Sequence, residues 1–254
     1  MAERRLRRLI PEPADTTVER EIALLDFASL AHGDRPYVIT NFVLTLDGHA
    51  TIRGHSGPIG SDADTAVLVG LRTRVDAVMI GAGTMRAERY GRVVPDQAKR
   101  ERREREGLPH DPLMVLVSGR LDLPWDAPLF TAGAGRVVVL THSDADPPPT
   151  ATELRVARHE GAVDLGRALA ELRREGVRSV LCEGGPQLHA QLIDDGLVDE
   201  LFVTHAPKLA GGTGPGLVSG LAEVERPLEL AALLHEPATG ELFARYRTGG
   251  TAGR

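Results

Sequence analysis

Apolar residues recur along the chain in two rhythms, and each predicts its own kind of element. The short continuous runs Ala77–Ile80, Leu113–Val117 and Val137–Leu140 have the pattern of strands covered on both faces. Tyr37–Leu46 is rich in β-branched and aromatic residues and predicts a longer strand. Leu154–Ala157, Ser179–Cys182 and Glu200–Ala206 predict further short strands. Between these lie helical spacings. Ala63, Val67 and Leu71 share one face of a segment running from Ser61 to about Arg74. Ser61 is a capping residue there, and Asp62 and Asp64 suit the positive end of the helix dipole. Leu165, Ala168, Leu169 and Leu172 form the stripe of a helix capped by Asp164 and stopped by Gly176. A further helix is predicted over Gln187 to Asp194, and a helical turn after Gly81-Ala82-Gly83-Thr84.

Strands alternating with helices predict an α/β fold with a mostly parallel sheet. Glu229 to Arg247 reads as a hairpin about Pro237-Ala238-Thr239-Gly240, which adds antiparallel edge strands. Lys99–Glu106 is nearly all charge and reads as a solvated helix or mobile loop. Residues 1–34 read as an N-terminal arm with a short helix within Val18–Ala31, and residues 35–250 as one domain. The Arg4–Arg8 cluster reads as part of a loose, solvated arm.

Composition narrows the class. The chain has 254 residues, 42% hydrophobic and 26% charged, with a net charge of −6, which is ordinary for a globular protein. No apolar stretch is long enough to span a membrane, and the arginine-rich N-terminus has no apolar segment of a secretory signal behind it. The mild acidity argues against a nucleic-acid partner. Cys182 is the only cysteine, so no internal disulfide and no Cys-x-x-Cys metal site can form, and a cytoplasmic setting is expected. It reads as a buried, inert thiol.

Ligands of open α/β sheets bind at the carboxyl ends of the strands. Glycine-bearing junctions of that kind are Thr45-Leu46-Asp47-Gly48, Gly81-Ala82-Gly83-Thr84 and Glu183-Gly184-Gly185-Pro186. Glycine lets backbone approach a ligand, and a helix start offers free N–H groups to an anion such as pyrophosphate. The chain lacks the Gly-x-Gly-x-x-Gly fingerprint, a phosphate-binding P-loop, a His-Glu-x-x-His helix and a Gly-x-Ser-x-Gly elbow.

In order along the chain, these segments resemble the reductase domain of the riboflavin pathway. They are Arg35-Pro36-Tyr37 leading into Asp47-Gly48, Gly81 to Glu88, Glu183-Gly184-Gly185-Pro186-Gln187-Leu188, and Gly196 to Leu201 running on through Lys208 to Gly211-Gly212. The resemblance covers about Arg35 to Tyr246. It implies a dihydrofolate reductase-like three-layer sandwich. It also implies NADPH-dependent reduction of the ribosyl group of 5-amino-6-(5-phosphoribosylamino)uracil to a ribityl group. The sugar opens to an imine, and hydride goes to its first carbon. A stand-alone reductase is implied, without a fused deaminase and without zinc. A homodimer is implied too, with Leu201–Thr204 and Leu242–Tyr246 either pairing across its interface or lying in the core.

The resemblance also assigns residues. Thr84, Gly83 and Glu88 match positions at the cofactor and reaction centre, where Glu88 relays a proton or orients the sugar. Gly184, Gly185, Pro186 and Leu188 match the cradle of the cofactor diphosphate, and Glu183 a substrate-facing carboxylate. Ser118 and Arg120 match a grip on the adenosine 2′-phosphate. Asn41 matches a position facing the pyrimidine edge. Ser56 and Arg72 match substrate contacts, although Arg72 on a helix reads equally as solvated surface. Asp47 either contacts substrate or caps its own turn. After Glu88 the family continues with an acidic residue, proline and a Leu-Thr-Val-Arg stretch that helps bind the substrate phosphate. This chain has Arg89-Tyr90-Gly91-Arg92-Val93-Val94-Pro95. Either Arg89 or Arg92 replaces the missing arginine, or the substrate differs. The alternatives are a dihydrofolate reductase-like reductase of another pteridine or pyrimidine, and a nucleotide-binding homologue without catalysis.

Overall fold

The computed structural model describes residues 4–31, 33–220, 223 and 225–249. Residues 1–3 and 32 of the expected arm and residues 221, 222, 224 and 250 of the expected domain lie outside the described residues. The chain opens with β1 (Arg5–Ile10), β2 (Ala14–Thr17) and α1 (Val18–Ala23). There follow β3 (Tyr37–Thr45), α2 (Asp62–Arg72), β4 (Ala77–Gly81), α3 (Ala82–Glu88) and α4 (Gln97–Arg105). Next come β5 (Leu113–Val117), α5 (Pro128–Thr131), β6 (Arg136–Thr141), β7 (Glu153–Arg158) and α6 (Leu165–Arg174). The last elements are β8 (Ser179–Cys182), α7 (Pro186–Asp194), β9 (Glu200–Ala206), β10 (Leu228–His235) and β11 (Leu242–Thr248).

All strands join one 11-stranded sheet, in the order β2-β1-β10-β11-β9-β3-β8-β4-β5-β6-β7. From β9 through β7 neighbours run parallel, whereas β11, β10, β1 and β2 continue antiparallel. The parallel half explains the uninterrupted apolar runs, because alternate residues of each strand enter different cores. Val78, Ile80, Met114, Leu116, Val137 and Val139 face the core that holds Val67 and Leu71 of α2. Ala77, Met79, Leu113, Val115, Val138 and Leu140 face the core under α6 and α7. Helices on both faces of a mixed, mostly parallel sheet make the expected three-layer α/β sandwich.

The predicted caps form. Ser61 Oγ accepts the backbone N–H of Ala63 at 2.9 Å, and Asp164 Oδ1 accepts that of Arg167 at 2.9 Å. Strand starts are fixed by buried acids. Asp199 takes both prongs of Arg35 at 2.7 and 2.8 Å and the N–H of Val38, at the head of β3. Asp76 Oδ2 accepts the N–H and hydroxyl of Ser179, which starts β8. Glu200, fully buried, is held by Arg245 and Arg247 and so ties β9 to β11.

Several expectations are corrected. The N-terminal residues are not a free arm, because β1 pairs with β10 and Leu6, Val18, Ile22, Leu25 and Phe27 enter the core. Arg5 and Arg7 do stay on its outer side, while Leu6 turns inward, so a short amphipathic strand hides inside an arginine-rich segment. The helix within Val18–Ala31 ends at Ala23, and Phe27 stacks on Tyr37. The hairpin β10–β11 is not the edge, since β1 and β2 lie outside it. β9 and β11 pair with each other and with β3 and β10, so Leu201–Thr204 and Leu242–Tyr246 are interior strands. The charged run is helix α4, and its Arg103 is fully buried. That guanidinium donates to the carbonyls of Arg72, Val75 and Pro109, groups left over at the end of α2 and in the following loops.

Phe27→Ala is expected to lower the unfolding free energy by about 3–5 kcal/mol. Urea denaturation measures it; a loss under about 0.5 kcal/mol, the usual surface value, would mean that the segment is not part of the core.

Candidate active site

A cleft of about 1030 Å³ opens at the carboxyl ends of the parallel strands. Its walls come from the ends of β3, β4, β5 and β8, the first turns of α2 and α7, and helix α3. Of the residues singled out from the sequence, it gathers Asn41, Ser56, Gly83, Thr84, Glu88, Ser118, Arg120, Glu183, Gly184, Gly185, Pro186 and Leu188. Ser56 Oγ donates to Glu88 Oε1 at 3.2 Å, so the loop after β3 reaches the end of α3.

The turn after β8 shows why glycine is needed. Gly184 has a φ of 114°, a region that favours glycine, and its peptide bond to Gly185 is cis. The Gly81 N–H donates to Gly184 O at 2.7 Å, joining the ends of β4 and β8. A side chain at Gly185 would meet Thr84 Oγ1 at 3.1 Å. Helix α7 begins directly behind with no side-chain cap, so its first N–H groups remain available to an anion.

Glu183 lies at the cleft floor, but its carboxylate is spoken for. Arg72 donates to both oxygens, Nε to Oε1 at 2.6 Å and the second prong to Oε2 at 2.7 Å. Tyr90 Oη adds a bond to Oε2 at 2.8 Å, and its ring lies under the Arg72 guanidinium. Side-chain exposure is 13% for Arg72 and 3% for Glu183. Burial lowers the Arg72 guanidinium, but Glu183 and Tyr90 outweigh it and hold the group above its ordinary value. Burial, then the Glu183 carboxylate, holds the Tyr90 phenol well above its ordinary range. Arg72 is therefore neither solvated nor part of the cleft lining; it binds Glu183. This pair positions the cleft rather than offering free groups to a ligand.

Two other expected residues stand outside the lining. Asp47 accepts the Thr45 hydroxyl at 2.6 Å and the N–H groups of Ala210 and Gly211. It caps its own turn and ties the loop after β3 to the loop after β9; these bonds hold its carboxyl well below the ordinary carboxylate range. Lys208 reinforces the same junction by donating to the carbonyls of Pro58 and Ile59. Arg92 forks onto Asp111 at 2.9 and 2.7 Å, and Arg89 pairs with Asp126. Both guanidinium groups of the departing stretch are thus engaged away from the lining residues.

The cleft also holds Asp64, Tyr90 and His142, which sequence reasoning did not assign to it. His142 follows β6, where the strand-end rule already points. Asp64 was indistinguishable from Asp62 as a helix-start acid; two residues further round the helix it turns inward. His189 is buried against Phe42, with ring centroids 3.9 Å apart and Nε2 3.3 Å from Cys182 O. Burial pushes its pKa down to about 4.

The sequence profile of the RibD C-terminal domain matches residues 36–237. The chain belongs to the RibD C-terminal domain family. A 2,5-diamino-6-ribosylamino-4(3H)-pyrimidinone 5′-phosphate reductase of Archaeoglobus fulgidus is 32% identical over 184 residues, 70% of this chain and 83% of that one. A pyrimidine reductase-like protein of Corynebacterium diphtheriae has a solved structure similar to this one, with a TM-score of 0.77 and 26% identity, covering 92% of this chain and 99% of that one. The fold also matches the deaminase/5-amino-6-(5-phosphoribosylamino)uracil reductase of Thermotoga maritima, with a TM-score of 0.68, 23% identity, and coverage of 85% of this chain and 57% of that one. The family thus carries the expected reductase fold.

Two measurements check the site. Arg72→Met leaves a buried carboxylate without its cation and is expected to cost about 3–5 kcal/mol, most of which Arg72→Met/Glu183→Met restores. Equal destabilisation by both variants would show that the pair contributes no more than packing. For His189 the folded pKa lies below the unfolded value of about 6.5. Its contribution is complete above that value and is lost as pH falls toward about 4. Unfolding free energies over this window are expected to fall more steeply for the native chain than for His189→Gln.

Proposed function

We propose that this protein uses NADPH to reduce the ribosyl side chain of a phosphorylated aminopyrimidine to a ribityl chain, a step of riboflavin biosynthesis. The observation that carries the proposal is one cleft that joins an anion-receptive turn to a polar pocket. Gly184, Gly185 and the uncapped start of α7 line it together with Asn41, Ser56 and Glu88. The named relatives that act on such pyrimidines add support.

The residues present fit the cofactor. The open backbone at Gly83, the Gly184-Gly185 turn and the first N–H groups of α7 suit a diphosphate. Ser118, Arg120 and His142 gather at the ends of β5 and β6 and suit the adenosine 2′-phosphate, which favours NADPH over NADH. Bound NADPH supplies the hydride that reduces the opened sugar. Thr84 orients the cofactor beside the glycine turn. Glu88, held by Ser56, orients the sugar and holds a proton near the reacting carbon. Glu183 and Arg72 act as positioning residues for this end of the cleft.

A second reading keeps the fold and NADPH and changes the substrate to a pteridine or another pyrimidine without phosphate. The engagement of Arg89 and Arg92 by Asp126 and Asp111 favours it. We place the protein in the cytoplasm as a homodimer. A lone cysteine is compatible with a reducing compartment, and Cys182 is an inert thiol, fully buried and pushed up to about 12 by that burial. Exposed Leu228 and Leu230 on β10 offer an apolar strip to a second copy.

The test follows NADPH absorbance with the ribosylamino-pyrimidine phosphate as substrate and NADH in parallel. Substrate-dependent oxidation is expected, faster with NADPH. Glu88→Gln should lower kcat by about 10²–10⁴-fold, and Arg120→Ala should erase the preference for NADPH. Oxidation that never exceeds the blank, with NADPH still bound, would rule out this substrate; loss of NADPH binding as well would rule out catalysis.

A further inference from the structure

The polar end of the cleft contains a carboxylate that the chain itself leaves without a counter-ion. Asp64 lies in the first turn of α2, and it lines the cleft with Asn41, Ser56, Thr65 and Leu68. Its Oδ1 is buried and has no hydrogen-bond partner, and the same holds for Asn41 Oδ1. The two belong to one wall. Asn41 and Val43 point to the same face of β3, and Val43 is in register with Thr204, the residue beside Asp64.

Elsewhere the buried or half-buried acids of this protein are either neutralised or hydrogen-bonded, Asp76 by Ser179 and Glu241 by Ser61 and Thr239. Glu183 has Arg72, Glu200 has Arg245 and Arg247, and Asp199 has Arg35. Among the described residues no cation pairs with Asp64. The groups facing it are the Thr204 hydroxyl and the Glu241 carboxylate, and Glu241 is itself occupied by Ser61 and Thr239. Burial pushes the Asp64 carboxyl up to about 6, with Glu241 adding to the rise and Thr204 opposing it. Two unsatisfied acceptor oxygens on one wall of a ligand cleft call for a ligand edge made of donors.

Resting on the reductase reading above, we propose that Asp64, with Asn41 on the same wall, recognises the donor edge of a 2-amino-4-oxopyrimidine and so selects the diaminopyrimidinone form of the substrate over the uracil form. That edge presents the ring N3–H and the exocyclic 2-amino group side by side, two donors for the two unpartnered acceptors, Asp64 Oδ1 and the neutral Asn41 Oδ1. Uracil places a carbonyl oxygen where the amino group would be, and that oxygen meets the carboxylate lone pairs in a water-poor setting. A site built around substrate donors rejects the analogue that lacks them strongly, so Asp64 is a specificity residue rather than a participant in hydride transfer.

The experiment compares the 2-amino and uracil forms of the ribosylamino phosphate, with NADPH, on the native chain and on Asp64→Asn. The native kcat/KM is expected to favour the 2-amino form by about 100-fold or more. Asp64→Asn, whose amide donates as well as accepts, should reduce that ratio by at least about tenfold, mainly through KM. Calorimetric titration of 2,5,6-triaminopyrimidin-4-one and 5,6-diaminouracil into the NADPH-loaded protein reads the same preference without turnover. Preference for the uracil form, or a ratio unchanged in Asp64→Asn, overturns the assignment of Asp64 and leaves the reductase reading intact. If neither phosphate is turned over, the reductase reading falls, and calorimetry still decides Asp64. Tighter binding of the 2-amino base, lost in Asp64→Asn, supports the assignment; equal binding refutes it. Should Asp64→Asn fail to fold, the native preference between the two bases and the near-isosteric Asp64→Leu apply the same criterion.

Discussion

The buried Arg72–Glu183 pair connects the parts of the molecule that form the cleft. Arg72 ends α2, Glu183 follows β8, and Tyr90 follows α3, and one carboxylate binds all of them together. In this water-poor position neither charge is tolerable alone. The guanidinium is therefore fixed on both oxygens, and the helix end, strand end and loop are fixed with it. Arg103 extends the constraint by donating to the carbonyl of Arg72, so a helix of mostly charged residues also supports the cleft. A carboxylate that first suggests substrate contact thus serves to hold the floor in place.

The cleft itself follows from the path of the sheet. β8 enters between β3 and β4, which are consecutive parallel strands in the chain. Its Gly184-Gly185 turn therefore emerges beside Gly81 and Thr84, next to the open backbone at Gly83. The same cleft is lined by the carboxylates of Asp64 and Glu88, while Arg89 and Arg92 are paired elsewhere.

Much of the architecture was legible because parallel strands buried on both faces leave uninterrupted apolar runs, and capped amphipathic helices leave a regular stripe. Ala77–Ile80, Leu113–Val117 and the α6 stripe are examples. β1 was illegible because its arginines outnumber its inward residue, Leu6, and its partner β10 is far along the chain. The helix α4 was legible as charged, but the burial of Arg103 was not, since charge alone does not reveal that unpaired carbonyls await it. In the candidate site, glycine turns at strand ends were readable from local spacing. The separation of Arg92 from the cleft was not, because it depends on Asp111, far away in sequence.

The sequence by itself determined the α/β class, the order of the main strands and helices, and the glycine-bearing junctions at which a ligand can approach backbone. Those properties arise from short-range periodicity and from the conformational freedom of single residues. Tertiary structure alone decided which acids are spent and which remain available. Glu183 is neutralised by Arg72 across the fold, whereas Asp64 reaches the same cleft with no cation paired to it among the described residues. An ion pair or an orphan oxygen depends on what a side chain meets after folding, and residues distant in sequence set that meeting.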